Sequence, residues 1–115
     1  MIIDSDADLD AAADAALWGG MSNAGQTCVG IERIYAVSDV HDAFVSKLAE
    51  RARSLTVGVD GESIGPITMP GQIDVIRRHI DDALARGARA VVGGADAVQP
   101  PYVYPTILVD VPDDA

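Results

Sequence analysis

Strand-like and helix-like segments alternate along the 115 residues of the chain. Apolar residues recur at helical spacing within residues 9–17, 40–55 and 73–84, which predicts three helices. Apolar and β-branched runs predict strands at residues 1–3, 31–37, 88–94 and 100–111. The resulting order of β, α, β, α, α, β, β indicates an α/β fold with a mostly parallel sheet and right-handed crossovers.

Polar residues mark where the first two helices begin. Asp6 or Asp8 can cap the first helix, because an aspartate at this position accepts hydrogen bonds from free backbone N–H groups. Ser38 or Asp39 can cap the second helix in the same way. The Gly-Gly pair at residues 19–20 is expected to weaken the first helix, and the turn Asn-Ala-Gly-Gln follows it.

The charge of the chain limits the classes of partner. Eighteen acidic and eight basic residues give a net charge of −10 and a pI of about 4.2. Nucleic acids and anionic membranes are therefore not expected as partners, since both attract clustered Lys and Arg. The longest uncharged stretch, residues 15–31, contains polar side chains and glycines that a membrane span would exclude. The acidic N-terminus lacks the positive region of a signal peptide, which predicts a cytoplasmic location.

Cys28 is the only cysteine and the strongest nucleophile of the chain. An intrachain disulfide is excluded, and Cys28 with His41 and His79 is too small a set for a zinc site, so no metal is predicted. Cys28 is expected in a loop directly before a strand, at the end of the sheet, where open α/β folds bind ligands. Gly25 and Gly30 on either side allow close approach of a substrate and let the Cys28 N–H face a developing oxyanion.

Other interpretations of these residues stay open. A lone cysteine is often an inert buried residue. Cys28 with His41 or His79 could instead form a Cys-His hydrolase, although surface histidines of this kind usually have no catalytic role. Loss of ester hydrolysis on His79→Ala would support the hydrolase.

The segment NAGQTCVGIER, residues 23–33, resembles the active-site cysteine signature of the aldehyde dehydrogenase superfamily. The matching positions are Gly25 and Gln26, the spacer Thr27, Cys28, a small or aliphatic residue at Val29 and a small residue at Gly30. The resemblance extends over the whole chain, through MIIDSDADLDAAADAALWG, DAFVSKLAERARSLTVG, GESIGPI and YVYPTILVDVPDD, in the order found in the family. An aromatic residue is more common in the family at the position of Met21.

The resemblance implies an activity and assigns roles to three residues. The thiolate of Cys28 would attack an aldehyde, NAD or NADP would accept hydride, and water would release the acid from a thioester. The Cys28 N–H would form half of an oxyanion hole, while Thr27 and Val29 would line the substrate channel. The segment is most similar to members that act on succinate semialdehyde or related small aldehydes.

Other functional segments of the family are not found in residues 1–115. These are the oxyanion Asn, the Glu general base in Glu-Leu-Gly-Gly and the ribose-binding Glu in Glu-x-Phe-Gly-Pro. We therefore expect residues 1–115 to form a partial aldehyde dehydrogenase catalytic domain without a nucleotide-binding domain, starting at Met1 of a truncated reading frame. The GGAD turn at residues 93–96 is not a dinucleotide loop, since no G-x-G-x-x-G precedes a helix.

The expected truncation limits the activity and the cofactor binding that we expect of residues 1–115. NAD or NADP should bind the full-length enzyme and not this piece, which should be inactive alone. The alternative is a non-catalytic structural or interaction fragment. A homo-oligomer is expected, because unpaired strand edges and exposed apolar stripes recruit other chains.

Overall fold

The helices and strands fall into two units, Met1–Leu55 and Thr56–Ala115. The computed structural model describes all 115 residues. The first unit contains β1 (Ile2–Ile3), α1 (Leu9–Met21), the 3₁₀ turn Ser22–Gly25, β2 (Tyr35–Ala36) and α2 (Ser38–Arg53). The second contains α3 (Pro70–Ala85), β3 (Arg89–Val92), the 3₁₀ turn Ala95–Ala97, β4 (Val98–Gln99), β5 (Tyr102–Val103) and β6 (Ile107–Val109). No helix has both the length and the apolar character that a membrane span requires.

The first unit contains a parallel pair of short strands. Ile2 of β1 lies opposite Tyr35 of β2, and the N–H of Val37 donates to the carbonyl of Ile3 at 3.1 Å. Ile3 is only 2% exposed and belongs to the core. The strand predicted at residues 31–37 is therefore shorter than expected, because only Tyr35 and Ala36 lie in register with β1.

Helix α1 begins as its acidic sequence predicts. Asp8 is the N-cap, and its carboxylate accepts hydrogen bonds from the N–H groups of Asp10 at 3.0 Å and Ala11 at 3.1 Å. The helix continues through both glycines at residues 19–20 and ends at Met21. The prediction of a cap by Asp6 or Asp8 is confirmed for Asp8.

Helix α2 begins without the side-chain cap that the sequence predicts. Its N-cap is Val37, and no side chain bonds the free N–H groups of the first turn. The hydroxyl of Ser38 donates instead to the carboxylate of its neighbour Asp39 at 3.2 Å. The prediction of a cap by Ser38 or Asp39 is wrong, because both residues lie inside the helix. The apolar face is confirmed, with its buried residues at Phe44, Leu48, Ala49 and Ala52.

Ion pairs join α1 to α2 on the surface of the first unit. The Lys47 ammonium donates to both oxygens of Asp10 at 2.8 and 2.9 Å, and Arg51 bonds Asp10 at 2.7 Å and also Asp14. Hydrogen bonds from Lys47, and then from Arg51, lower the pKa of Asp10 below its ordinary value. Hydrogen bonds to Asp10, and then to Asp14, raise the pKa of Arg51.

We expect Asp10→Asn to cause a small decrease in Tm at neutral pH that disappears in acid. The folded-state pKa of Asp10 lies below 3.8, so the ion pairs stabilise the fold above about pH 4, and this contribution is lost as the pH falls through the folded-state pKa. Thermal melts of both proteins across the acid range test this. Asp81→Asn is the control, because Asp81 is exposed and has no ion pair. A Tm difference that stays constant in acid would contradict the prediction.

The second unit differs from the predicted sheet in the direction of its strands. The α/β class is confirmed, but β3 pairs with β6 and β4 pairs with β5, and both pairs are antiparallel. Parallel pairing is found between β1 and β2 and at an isolated bridge from Val57 to Ile64. Strands β4 and β5 are joined only by Pro100 and Pro101, a connection too short for the crossover that parallel strands require.

Candidate active site

The three residues predicted for the site lie together in the loop between α1 and β2. Cys28 and Val29 form a turn that is closed by a 3.3 Å hydrogen bond from the Gly30 N–H to the Thr27 carbonyl. Cys28 is exposed, Val29 is 84% exposed and Thr27 is half-buried. The expected position directly before a strand is wrong, since β2 begins only at Tyr35.

A left-handed turn leads into the cysteine. Asn23, Ala24 and Gly25 have φ values of 53°, 57° and 72°. The side-chain amide of Asn23 donates to the Gln26 carbonyl at 3.0 Å, and that of Gln26 donates to the Asn23 carbonyl at 3.0 Å. The Gln26 N–H adds a bond to the same Asn23 carbonyl at 3.1 Å. These reciprocal bonds fix the course of the backbone just before Cys28.

We expect Ala24→Gly to stabilise the chain. The left-handed conformation costs an L-residue roughly 1–2 kcal/mol, whereas glycine adopts it freely but gives up about 0.5–1 kcal/mol of chain entropy. The net gain in the free energy of unfolding should be up to about 1 kcal/mol, measured by chemical denaturation. Ala24→Val should be destabilising, because a β-branched residue tolerates this φ least. Equal or lower stability of the glycine variant would contradict the claim that the backbone of Ala24 is strained.

The other end of the loop is fastened to α1. The Ile31 N–H donates to the Gly19 carbonyl at 2.9 Å, and a β-carbon added to Gly19 would lie 2.5 Å from Cδ1 of Ile31. By its helix propensity alone, Gly19 is expected only to destabilise the helix, and its contact with Ile31 is not predicted. The available signal is its spacing, because Gly19 continues the stripe of small buried residues formed by Ala13 and Ala16.

The backbone N–H of Cys28 has no hydrogen-bond acceptor within the chain. The thiol makes no hydrogen bond within the chain either. His41 lies in the same unit, but its Nδ1 is paired with Asp42 at 2.8 Å and forms no hydrogen bond to Cys28. The geometry therefore gives no support to a hydrolase built on His41. His, Cys, Asp and Glu side chains form no group of three or more that could hold a metal.

Known proteins resemble the chain along its whole length. The model of the aldehyde dehydrogenase family matches residues 1–115. An NADP(+) succinate-semialdehyde dehydrogenase of Escherichia coli strain K12 is 42% identical over 118 residues, which cover 99% of this chain and 24% of that protein. A betaine aldehyde dehydrogenase of Cereibacter sphaeroides is 38% identical over 117 residues, covering 98% of this chain and 24% of that protein.

A solved structure agrees with these sequence matches. The crystal structure of an NADP-dependent enzyme of E. coli superposes with a TM-score of 0.92 at 42% identity, over 99% of this chain and 24% of that chain. The chain thus spans about a quarter of the length of the relatives it matches. From the family match over all its residues and the fold it shares with that enzyme, the chain belongs to the aldehyde dehydrogenase family.

Proposed function

We propose that the whole protein oxidises an aldehyde to a carboxylic acid with NAD or NADP, and that Cys28 is its nucleophile. The observation that carries the proposal is the exposed Cys28 thiol beside its own unbonded N–H, in a loop held at both ends. The loop lies within residues 23–33, which carry the cysteine signature. Family membership supports aldehyde oxidation as the reaction.

The bonds that form and break in the first step lie in Cys28 and the aldehyde. A bond forms between Sγ of Cys28 and the aldehyde carbon, while the carbonyl π electrons move to the oxygen. The Cys28 N–H donates to that oxygen as negative charge develops on it. The thiol proton ends on the same oxygen, which gives a neutral hemithioacetal. A bound nicotinamide cofactor would supply the acceptor for the hydride of this carbon.

We assign no residue of this chain to the cofactor. The Gly93–Gly94 turn is the segment most similar to a glycine-rich phosphate-binding loop, with φ values of 66° and 106°. A β-carbon on Gly93 would lie 2.5 Å from Oγ1 of Thr106, so the protein itself fills the space beside this turn. The helix that follows, Ala95–Ala97, is only three residues long. These residues do not fit a dinucleotide.

We propose a short aldehyde as the substrate class, with succinate semialdehyde as the first candidate. The half-buried Thr27 and the exposed Val29 flank the nucleophile and would contact the carbon chain next to the aldehyde. The names of the similar proteins include both an acidic and a cationic aldehyde. Residues 27–29 carry no charge, so they do not select between these two distal groups.

Hemithioacetal formation tests the role of Cys28 without any cofactor. Isotope-labelled succinate semialdehyde is added to the folded chain, and the adduct carbon is measured by NMR. We expect more adduct with the folded chain than with the urea-unfolded chain, because the folded loop fixes the thiol and its unbonded N–H in one arrangement, whereas the unfolded chain does not. Cys28→Ala should abolish the signal. Equal adduct formation by the folded and unfolded chains would favour the alternative of a non-catalytic structural fragment.

A further inference from the structure

Gly19 occupies a position where the local sequence gives no reason for glycine. It lies in the last turn of α1 and is buried, and a glycine in a helix costs about 1 kcal/mol relative to alanine. Its φ is not in the left-handed region, so backbone conformation does not require glycine here. The reason for a glycine at this position must therefore lie in the contacts of Gly19.

Two separate contacts join Gly19 to Ile31. The Gly19 carbonyl lies in the last turn, where carbonyls lose their partners within the helix, and the Ile31 N–H bonds it at 2.9 Å. The Ile31 side chain covers the space above Gly19, since an added β-carbon would lie 2.5 Å from Cδ1 and 2.7 Å from Cγ1. The Ile31 side chain can lie this close to the helix only because Gly19 has no side chain.

Ile31 is close to Cys28 along the chain. It follows the Thr27–Gly30 turn that contains Cys28, and that turn lies against α1, because a β-carbon on Gly30 would be in van der Waals contact with the Gly19 carbonyl oxygen at 3.4 Å. The other side of the loop is held by the bonds between Asn23 and Gln26. A shift of Ile31 away from α1 would therefore move Cys28.

We propose that Gly19 is a positioning residue for Cys28, acting through Ile31. The absence of a side chain at Gly19 lets Ile31 lie on α1 and so sets the place of the thiol and its N–H. This proposal rests on the nucleophilic role of Cys28 proposed above. A β-carbon at Gly19 would lie 2.5 Å from Cδ1 and 3.2 Å from Cβ of Ile31, so the side chain and the backbone that carries it would have to shift. A misplacement of about 1 Å at an active site can cost up to about 100-fold in rate.

The test compares the hemithioacetal equilibrium constant in Gly19→Ala, Gly19→Ala/Ile31→Ala and the unchanged chain. Gly19→Ala should lower the constant to the value of the urea-unfolded chain. The double variant should restore it to within about twofold, because the shortened side chain makes room for the added methyl group. Gly71→Ala is the matched control, since Gly71 also lies in a helix and has open space around it. It should leave the constant unchanged.

The outcomes separate this proposal from the role of Cys28. If the unchanged chain shows no more adduct than its unfolded form, the proposed function fails. If the unchanged chain shows the excess and folded Gly19→Ala shows it equally, the positioning role is overturned. If Gly19→Ala does not fold, the double variant decides: recovery of both fold and adduct supports the proposal, and failure to recover either one overturns it.

Discussion

Gly93→Ala is expected to destabilise the chain by about 3–5 kcal/mol, at the upper end of the losses that single substitutions cause. Gly93 has a φ of 66°, which already strains any residue with a side chain. A β-carbon there would also collide with the Pro105 carbonyl oxygen and lie 2.5 Å from Oγ1 and 3.1 Å from Cα of Thr106. Backbone atoms cannot rotate away, so the segment leading into β6 would have to move. The free energy of unfolding from chemical denaturation measures the effect.

Gly61→Ala separates backbone strain from the collision at Gly93. Gly61 has a φ of 81°, but nothing lies within 4 Å of an added β-carbon. Its substitution should therefore cost only the conformational strain, roughly 1–2 kcal/mol. Equal losses for Gly93→Ala and Gly61→Ala would contradict the close packing at Gly93.

Phe44→Ala should have a comparable effect on the first unit. Phe44 is 3% exposed on the buried face of α2, and removal of a buried phenyl ring costs about 3–5 kcal/mol. Trp18→Ala is the control, because Trp18 is a larger aromatic residue that is 76% exposed. Its loss should change stability by no more than about 0.5 kcal/mol. Denaturation curves with similar losses for the two variants would place Phe44 outside the core.

Local patterns predict the helices of this chain better than its strands. The helical stripes and the Asp8 cap depend on residues close in sequence, and the structure confirms them. Strand pairing depends on partners that are distant in sequence, and most strands here are only two residues long. The stretch at residues 31–34 has the composition of a strand but lies outside the register of the β1–β2 ladder, so it remains irregular.

In the candidate site, too, the features that depend on neighbouring residues in the sequence are predicted, whereas the tertiary contacts are not. The identity and exposure of Cys28 follow from a motif that is contiguous in the sequence. Helix propensity does not predict the contact between Gly19 and Ile31, because it describes a glycine in a helix only as a cost. The contact depends on the loop folding back over α1, which is a feature of the tertiary structure.

A chimeric enzyme tests the central claim most directly. The corresponding segment of the E. coli succinate-semialdehyde dehydrogenase, which is 42% identical, is replaced by these 115 residues. Aldehyde-dependent formation of NADPH is then measured with and without Cys28→Ala. If Cys28 is the nucleophile, the chimera oxidises succinate semialdehyde, and the alanine variant folds equally well but has no activity. A folded chimera without activity, or one that keeps its activity after Cys28→Ala, would contradict the account.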